Sequence, residues 1–501
     1  MATTGSSSTD PAGLGPARSA ASASTQPTST AATKAPAHAR EPGAMGAWVI
    51  VVCAVLSALA LAAFPAKKPE GRTMWTFARP HADMYAPIVE RWNAERSPDF
   101  NVAVLALPAL ERRMMSGFLS RTPVADLIEA ERQIASRAFQ GPIDAVGFAD
   151  LTDRLAKEGL TDQIVPAAFS PWTSRGRIFG LPHDVHPVML GYRADLVEAA
   201  GIDVSKIETW EDFFRTLRPL MTDADKDGQP DRYLLNIWPT AMNLIELLML
   251  QAGGTLFDEQ DQPTIDAERN AFVLATIVSW CVGPERVAAD APDFSASGNK
   301  LKVDGYVVAN LMPDWMCNIY RREMPQLAGK IKLMPLPAWE KGGRRTSVWG
   351  GTMLGMPRDA ANPDELWSFA KHLYFSPELA RTLYEVGEIV TPVKANWTDP
   401  IFDQPDAFYG GQPKGRMYIN LANDVPRRTS SPYNVMALDR LRDAAVRLKR
   451  FADDRNAHTV EALLPRAREL LGEAQRAVKQ QMDRNVFWKA GEEVPQAGGG
   501  R

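Results

Sequence analysis

With 501 residues, 45% of them hydrophobic, the chain is long enough for two to four domains with large cores. A formal net charge of -4, with no basic cluster interleaved with aromatics, removes the electrostatic case for nucleic-acid binding. No P-loop, H-E-x-x-H or G-x-S-x-G occurs, so the short motifs that most readily mark an enzyme are missing.

Residues 1–45 are dominated by Ser, Thr, Ala and Pro, carry no apolar periodicity and are expected to be disordered. GAWVIVVCAVLSALALAAF (46–64) follows, a charge-free apolar run close to the ~20 residues a helix needs to cross a bilayer. Two readings compete for the segment 46–66. Its length suits an uncleaved transmembrane anchor; Ala60 and Ala62 offer a signal-peptidase site, but the hydrophilic leader is unusually long for a secretory signal. Basic residues stand on both sides (Arg18, Lys34 and Arg40 before, Lys67, Lys68 and Arg72 after), so charge does not orient the run. Cys53 lies early inside it and reads as a buried free thiol, not a lipid-bearing one.

Beyond the run, strand and helix patterns alternate. Residues 72–78, 101–107 and 125–130 read as strands, and 85–95 as the first helix. Gly180 and Pro182 open a loop that enters a short apolar strand around 188–192, followed by a helix that Gly201 is placed to stop. Such alternation predicts α/β layering with mostly parallel sheets. The stretches 436–454 and 459–484 are amphipathic helices whose alternating charges read as solvated faces, and 489–501 is expected to be a disordered tail. Cys281 and Cys317 could pair in an oxidising compartment or stay buried thiols, and both readings remain open.

Two clusters invite a metal. Asp223, Asp225, Asp227, Gln229 and Asp231, with Gly228 at the turn, match the start of a calcium loop, although Leu234 stands where the closing Glu belongs. A structural calcium, away from any ligand site, and a plain polar turn leading into a strand are both open readings of this loop. His183, Asp184 and His186 lack a third His or Cys at helical spacing, which favours neutral hydrogen bonding over metal ligation.

The segment FGLPHDVHPVMLGYRADL (179–196) resembles the crossing segment of extracellular solute-binding proteins, family 1, the sugar-binding components of ABC transporters. Four further blocks keep the family's order: IETWEDFFRTLRPL (207–220), TDADKDGQPDRYLLN (222–236), the stretch 348–380 that opens on VWGGTMLGMP, and GEIVTPVKA (387–395). The resemblance implies an α/β, two-lobed, type II periplasmic-binding-protein-like clamp preceded by one transmembrane helix. Lobe one would take residues 73–187 and 348–395, and lobe two 188–347 and 396–488. It also implies an extracytoplasmic, monomeric body on a single-pass anchor, which binds a carbohydrate and delivers it to permease subunits.

By the same resemblance the cleft is lined by Phe77, Arg79 and His81, by Glu129 and Glu131, by His183, Asp184 and His186, and by Trp238. Asp314 and Trp315, then Trp349, Gly350 and Gly351, and finally Tyr433 and Asn434 would complete it. Flat aromatic faces and short polar groups suit sugars, whose rings alternate apolar C–H faces with hydroxyls. Trp315 and Trp349 would fix ring planes, Arg79, Glu129 and Asp184 would orient hydroxyls, and the two glycines would let the ligand approach the backbone. No cofactor is required by this reading. Two other classes remain: a membrane-anchored hydrolase using two acids such as Glu129 and Asp314, and a ligand-sensing domain.

Overall fold

In the first strand of the body, β1 (Arg72–Thr76), Met74 and Thr76 are buried while Thr73 and Trp75 are not, the alternation expected where one face packs on a core. The structure is a computed structural model that describes residues 44–63, 71–223 and 225–485. Most of the expected disordered segment 1–45, the end of the 46–66 segment and the tail 489–501 lie outside the described residues. Ala44 and Met45, expected to be disordered, instead begin a helix, Ala44–Ala63.

That helix has 20 residues and belongs to a separate unit, Met1–Lys68. Its described side chains run only over Trp48–Ser57 and Leu59, and all of them are exposed, Cys53 included. The expectation of a buried thiol at Cys53 is therefore corrected: on this single helix its side chain is exposed. Among the described residues no helix is long and apolar enough to cross a membrane.

The second unit, Pro69–Arg501, holds two five-stranded sheets. After β1 come β2 (Phe100–Val104) and β3 (Leu127–Glu131), a small hairpin of β4 (Thr173–Ser174) and β5 (Arg177–Ile178), and β6 (Leu181–Pro182). The chain then builds β7 (Val188–Arg193), β8 (Tyr233–Asn236), β9 (Ala288–Ala289), β10 (Val307–Pro313) and β11 (Ile331–Pro335) before returning as β12 (Thr352–Gly355). The first sheet is ordered β2-β1-β3-β12-β6 and the second β11-β7-β10-β8-β9.

Neither sheet is mostly parallel, as the alternation predicts. β1 runs parallel to β2 and β3, but β12 is antiparallel to both β3 and β6. In the second sheet β8 is parallel to β9 and β10, while β7 is antiparallel to β10 and β11. The reason is topological. Parallel neighbours need a crossover connection within their sheet, whereas β7 and β12 each enter their sheet directly from the other one and are free to run against their neighbours.

Helices form where apolar spacing and caps coincide. Arg79–Glu95 starts with Pro80 in its first turn and buries Tyr85, Ile88, Val89 and Trp92 at helical spacing. Trp210–Leu217 is opened by a capping box of Thr209 and Asp212 and buries Trp210, Phe213 and Leu217. The predicted helices near the C-terminus are Asn434–Arg455 and Val460–Asp483, packed on each other and on Glu268–Cys281. Cys281 and Cys317 are free and buried, so the disulfide reading falls; Cys317 Sγ instead lies 3.3 Å from the Tyr418 hydroxyl.

Candidate functional site

The chain passes between the sheets three times, at 183–188, at 347–351 and at 387–393, and the predicted polar residues gather at these passages. Pro187 bridges Val348, so the first two crossings lie side by side. Glu129, at the centre of β3, is fully buried; its Oε1 accepts from Thr76 Oγ1 at 2.8 Å and lies 2.6 Å from His81 Nδ1, while Oε2 accepts from Tyr85 Oη at 2.5 Å. Burial alone would raise the Glu129 pKa, but the electrostatic pull and hydrogen bond of His81, with the Tyr85 hydroxyl, outweigh it and lower it.

The His81 ring stacks on His183, with centroids 4.6 Å apart. His183 Nδ1 is 3.1 Å from Asp184 Oδ2, and the same oxygen lies 3.0 Å from His186 Nε2. His186 Nδ1 in turn meets Asp314 Oδ1 at 2.7 Å. A chain of three carboxylates and three imidazoles thus runs from β3 to the start of helix Asp314–Glu323. Burial, reinforced by His81, lowers the His183 pKa. With His183 neutral and its Nδ1 proton facing Asp184, Nε2 is left as an acceptor, and it has no protein partner.

An aromatic cluster adjoins this chain. The His186 and Trp315 rings are 6.4 Å apart, Trp315 Nε1 donates to the Trp349 carbonyl at 2.9 Å, and the two indoles meet edge to face at 5.2 Å. Phe294, with 62% of its surface exposed and φ of 58°, stacks nearly parallel to Trp315 with centroids 6.1 Å apart. Trp349 is only 8% exposed, so Phe294 and Trp315 carry the accessible faces.

Several predicted residues have other roles here. Glu131 caps the backbone N–H of Gln133 and does not join Glu129. Burial raises its pKa against the opposing charge of Arg132. Gly350 and Gly351 do adopt positive φ, but protein side chains approach them: a Cβ on Gly350 would meet His186 Cδ2 at 2.7 Å, and one on Gly351 would meet Arg428 Nη2 at 3.2 Å. Trp238 packs on the core with the Lys449 ammonium 5.2 Å over its ring. Tyr433 is buried and its hydroxyl accepts from Asn485 Nδ2. Arg79 is exposed at the start of its helix, and Phe77 sets its ring edge-on to His81. Asp314 is held on every side: Oδ1 also accepts from the Trp315 N–H and Oδ2 from the Val390 N–H. The predicted acid pair of Glu129 and Asp314 is thus engaged by protein donors at both ends.

Other residues were not legible in the pattern. Arg132, in the helix that follows β3, donates to Glu246 of helix Met242–Gln251 at 2.8 Å, with both side chains buried. Arg428 donates to the Gly350 carbonyl, and burial together with Arg132 lowers its pKa to about 9. Arg132 Nη1, Arg428 Nε and Asn434 Nδ2 are buried without a protein partner. In the loop 222–231, the carboxylates of Asp223, Asp225 and Asp227 lie within 4.8 Å of one another, all exposed; Gln229 and Asp231 are outside that group.

A model of bacterial extracellular solute-binding proteins matches residues 81–378. The chain belongs to that family. It is 26% identical over 350 residues to an arabinooligosaccharide-binding protein of Halalkalibacterium halodurans, covering 68% of this chain and 76% of the relative. It is 25% identical over 342 residues to the arabinooligosaccharide-binding protein of Bacillus subtilis, covering 64% and 75%. Among solved structures, the sugar-binding protein MalE from Xanthomonas citri aligns with a TM-score of 0.64 at 15% identity, covering 82% of this chain and 99% of that one. At that identity the likeness bears on the fold: a type II solute-binding protein of α/β sheets and helices.

Proposed function

We propose that the protein captures an arabinose-containing oligosaccharide between the halves built on its two sheets and passes it to the permease of an ABC transporter. The observation that carries this reading is the meeting of a buried polar chain, Glu129–His81, His183–Asp184–His186, with the exposed aromatic faces of Phe294 and Trp315. Sugar hydroxyls and C–H faces need that combination. The names of the two arabinooligosaccharide-binding relatives point to the same ligand class.

The unpartnered donors support a clamp. Arg132 and Glu246 come from the two halves and meet in the interior, while Arg132 Nη1, Arg428 Nε and Asn434 Nδ2 are buried there with nothing to bond. Each such group costs about 1–3 kcal/mol. Ligand hydroxyls offset that cost in the closed form, and opening the halves to water offsets it otherwise. The charge-free apolar run 46–64 would anchor the body outside the cytoplasmic membrane, a reading supported by its sequence. The loop at Asp223, Asp225 and Asp227 would hold a structural calcium.

Titration calorimetry with arabino-oligosaccharides, with malto-oligosaccharides as the contrast, tests the reading. A ligand bound only by the folded state also raises the melting temperature by mass action. Absence of heat and of thermal shift for both series would end the sugar assignment; consumption of the oligosaccharide over hours would replace it with the hydrolase.

A further inference from the structure

His186 stands one residue before the bridge between the first two crossings, and its backbone is left-handed, with φ of 47°. Residues other than glycine rarely hold that conformation without support from their surroundings. The support is visible. Nε2 lies 3.0 Å from Asp184 and Nδ1 2.7 Å from Asp314, so both ring nitrogens face carboxylates, and the bare Gly350 leaves room for the ring edge.

Asp314 reaches further than His186. Its Oδ2 holds the N–H of Val390 in the third crossing, and its neighbour Trp315 holds the Trp349 carbonyl in the second. One carboxylate therefore ties the second half of the protein to all three passages, provided that the ring between the two acids donates from both nitrogens. We propose that His186 is a positioning residue of the hinge: as a doubly protonated imidazolium it locks the three crossings in the closed arrangement, so that sugar capture depends on its proton. This rests on the sugar-capture reading above.

The surroundings favour the charged ring. Asp184 and His183 face it from its own segment, Asp314 from the start of helix Asp314–Glu323, Arg428 from the irregular segment against Gly350, Tyr374 from beside His183 and Tyr418 from beneath Asp314. Burial alone would lower its pKa, but Asp184 and Asp314 together raise it to about 10. Loss of the proton would turn one nitrogen lone pair toward a carboxylate oxygen, releasing one of the two contacts.

The test uses the body with a pair of spin labels, one on each half, together with nitrogen-15 spectra of the histidine rings. At pH 8 one ring should be protonated on both nitrogens, and its signal should vanish in His186→Gln. Raising the pH from 7 to 10.5 should shift the wild-type label distances toward the open form, whereas His186→Gln should be open already at pH 7 and insensitive to pH. Its affinity for arabino-oligosaccharides at pH 7 should fall at least tenfold. The wild-type pH series stands even if the variant folds poorly. A singly protonated ring at pH 8, or wild-type distances that do not change with pH, would overturn the latch. If the distances and spectra behave as stated and no arabino-oligosaccharide binds the wild type, the sugar reading fails and the latch stands.

Discussion

His183 and His186 sit three residues apart in one crossing, both buried and both touching Asp184, yet the protein treats them in opposite ways. At the first-sheet end His183 stacks on another imidazole, and burial holds its pKa down. At the second-sheet end His186 lies between two carboxylates, whose charges overcome burial and lift it to about 10. What burial does to a histidine depends on the neighbour's charge. The first end leaves an acceptor without a protein partner, and at the second both ring nitrogens face protein carboxylates.

The largest effect is expected at the closed end. Asp314→Ala would leave His186 Nδ1 and the Val390 N–H unpaired in the interior. Removing one partner of a buried pair costs about 3–5 kcal/mol, so chemical denaturation should show a midpoint far below wild type. A small shift would mean that the second end is not the better fastened of the two.

The aromatic cluster sharpens the contrast between fastened and open. Trp349 is the predicted sugar platform, but at 8% exposure and edge-on to Trp315 it behaves as core, and Trp349→Ala should cost about 3–5 kcal/mol of stability. Phe294→Ala, at a largely exposed site, should leave stability within about 0.5 kcal/mol while weakening sugar affinity by about 1 kcal/mol or more. Equal melting temperatures for the two variants would reverse these roles.

The two histidines also predict opposite limbs of the stability profile. The His183 pKa is lowered in the fold, so its contribution is present above its unfolded value near ~6.5 and is lost as pH falls through the folded value. The His186 pKa is raised, so its contribution is present below ~6.5 and is lost as pH rises through about 10. Urea titrations across pH 5 to 11 should show the wild-type fall in stability flattened on the alkaline side in His186→Gln and on the acid side in His183→Gln. If each variant altered the other limb, the assignment of the two ends would be inverted.

How far the sequence carried follows from what is local. The strand–helix alternation and the helix stop at Gly201 are local patterns, and each appears in the structure. Strand direction is not local, which is why half of each sheet runs against the parallel expectation. In the site, His183, Asp184 and His186 were legible through the crossing segment, but their division of labour was not. The partner that decides it, Asp314, is 128 residues away. Arg132 looked like an ordinary first residue of a helix, and its buried partner Glu246 sits within an apolar helix, so only contact in space reveals the pair. Phe294 could have been found from its place in a polar Asp-Pro-rich loop, where a large apolar side chain has no core to fill.

The smallest effect separates both ends from the rest of the body. The 223–231 loop is exposed, and its acids already bond backbone: Asp223 accepts from the Gly228 N–H, Asp225 from the Asp227 N–H and Asp227 from the Gln229 N–H. These turns hold the loop in shape without an ion, so a calcium there would add only the stabilisation set by its affinity and concentration. Because the closing bidentate Glu is replaced by Leu234, that affinity should be weak, in the range of extracellular modules at about 0.1–1 mM. At 10 mM calcium against chelator the melting temperature should then rise by a few degrees at most, and sugar affinity should be unchanged. A calcium-dependent change in sugar affinity would tie the loop to the hinge and undo the separation; identical melting curves would leave the three carboxylates as turn caps alone.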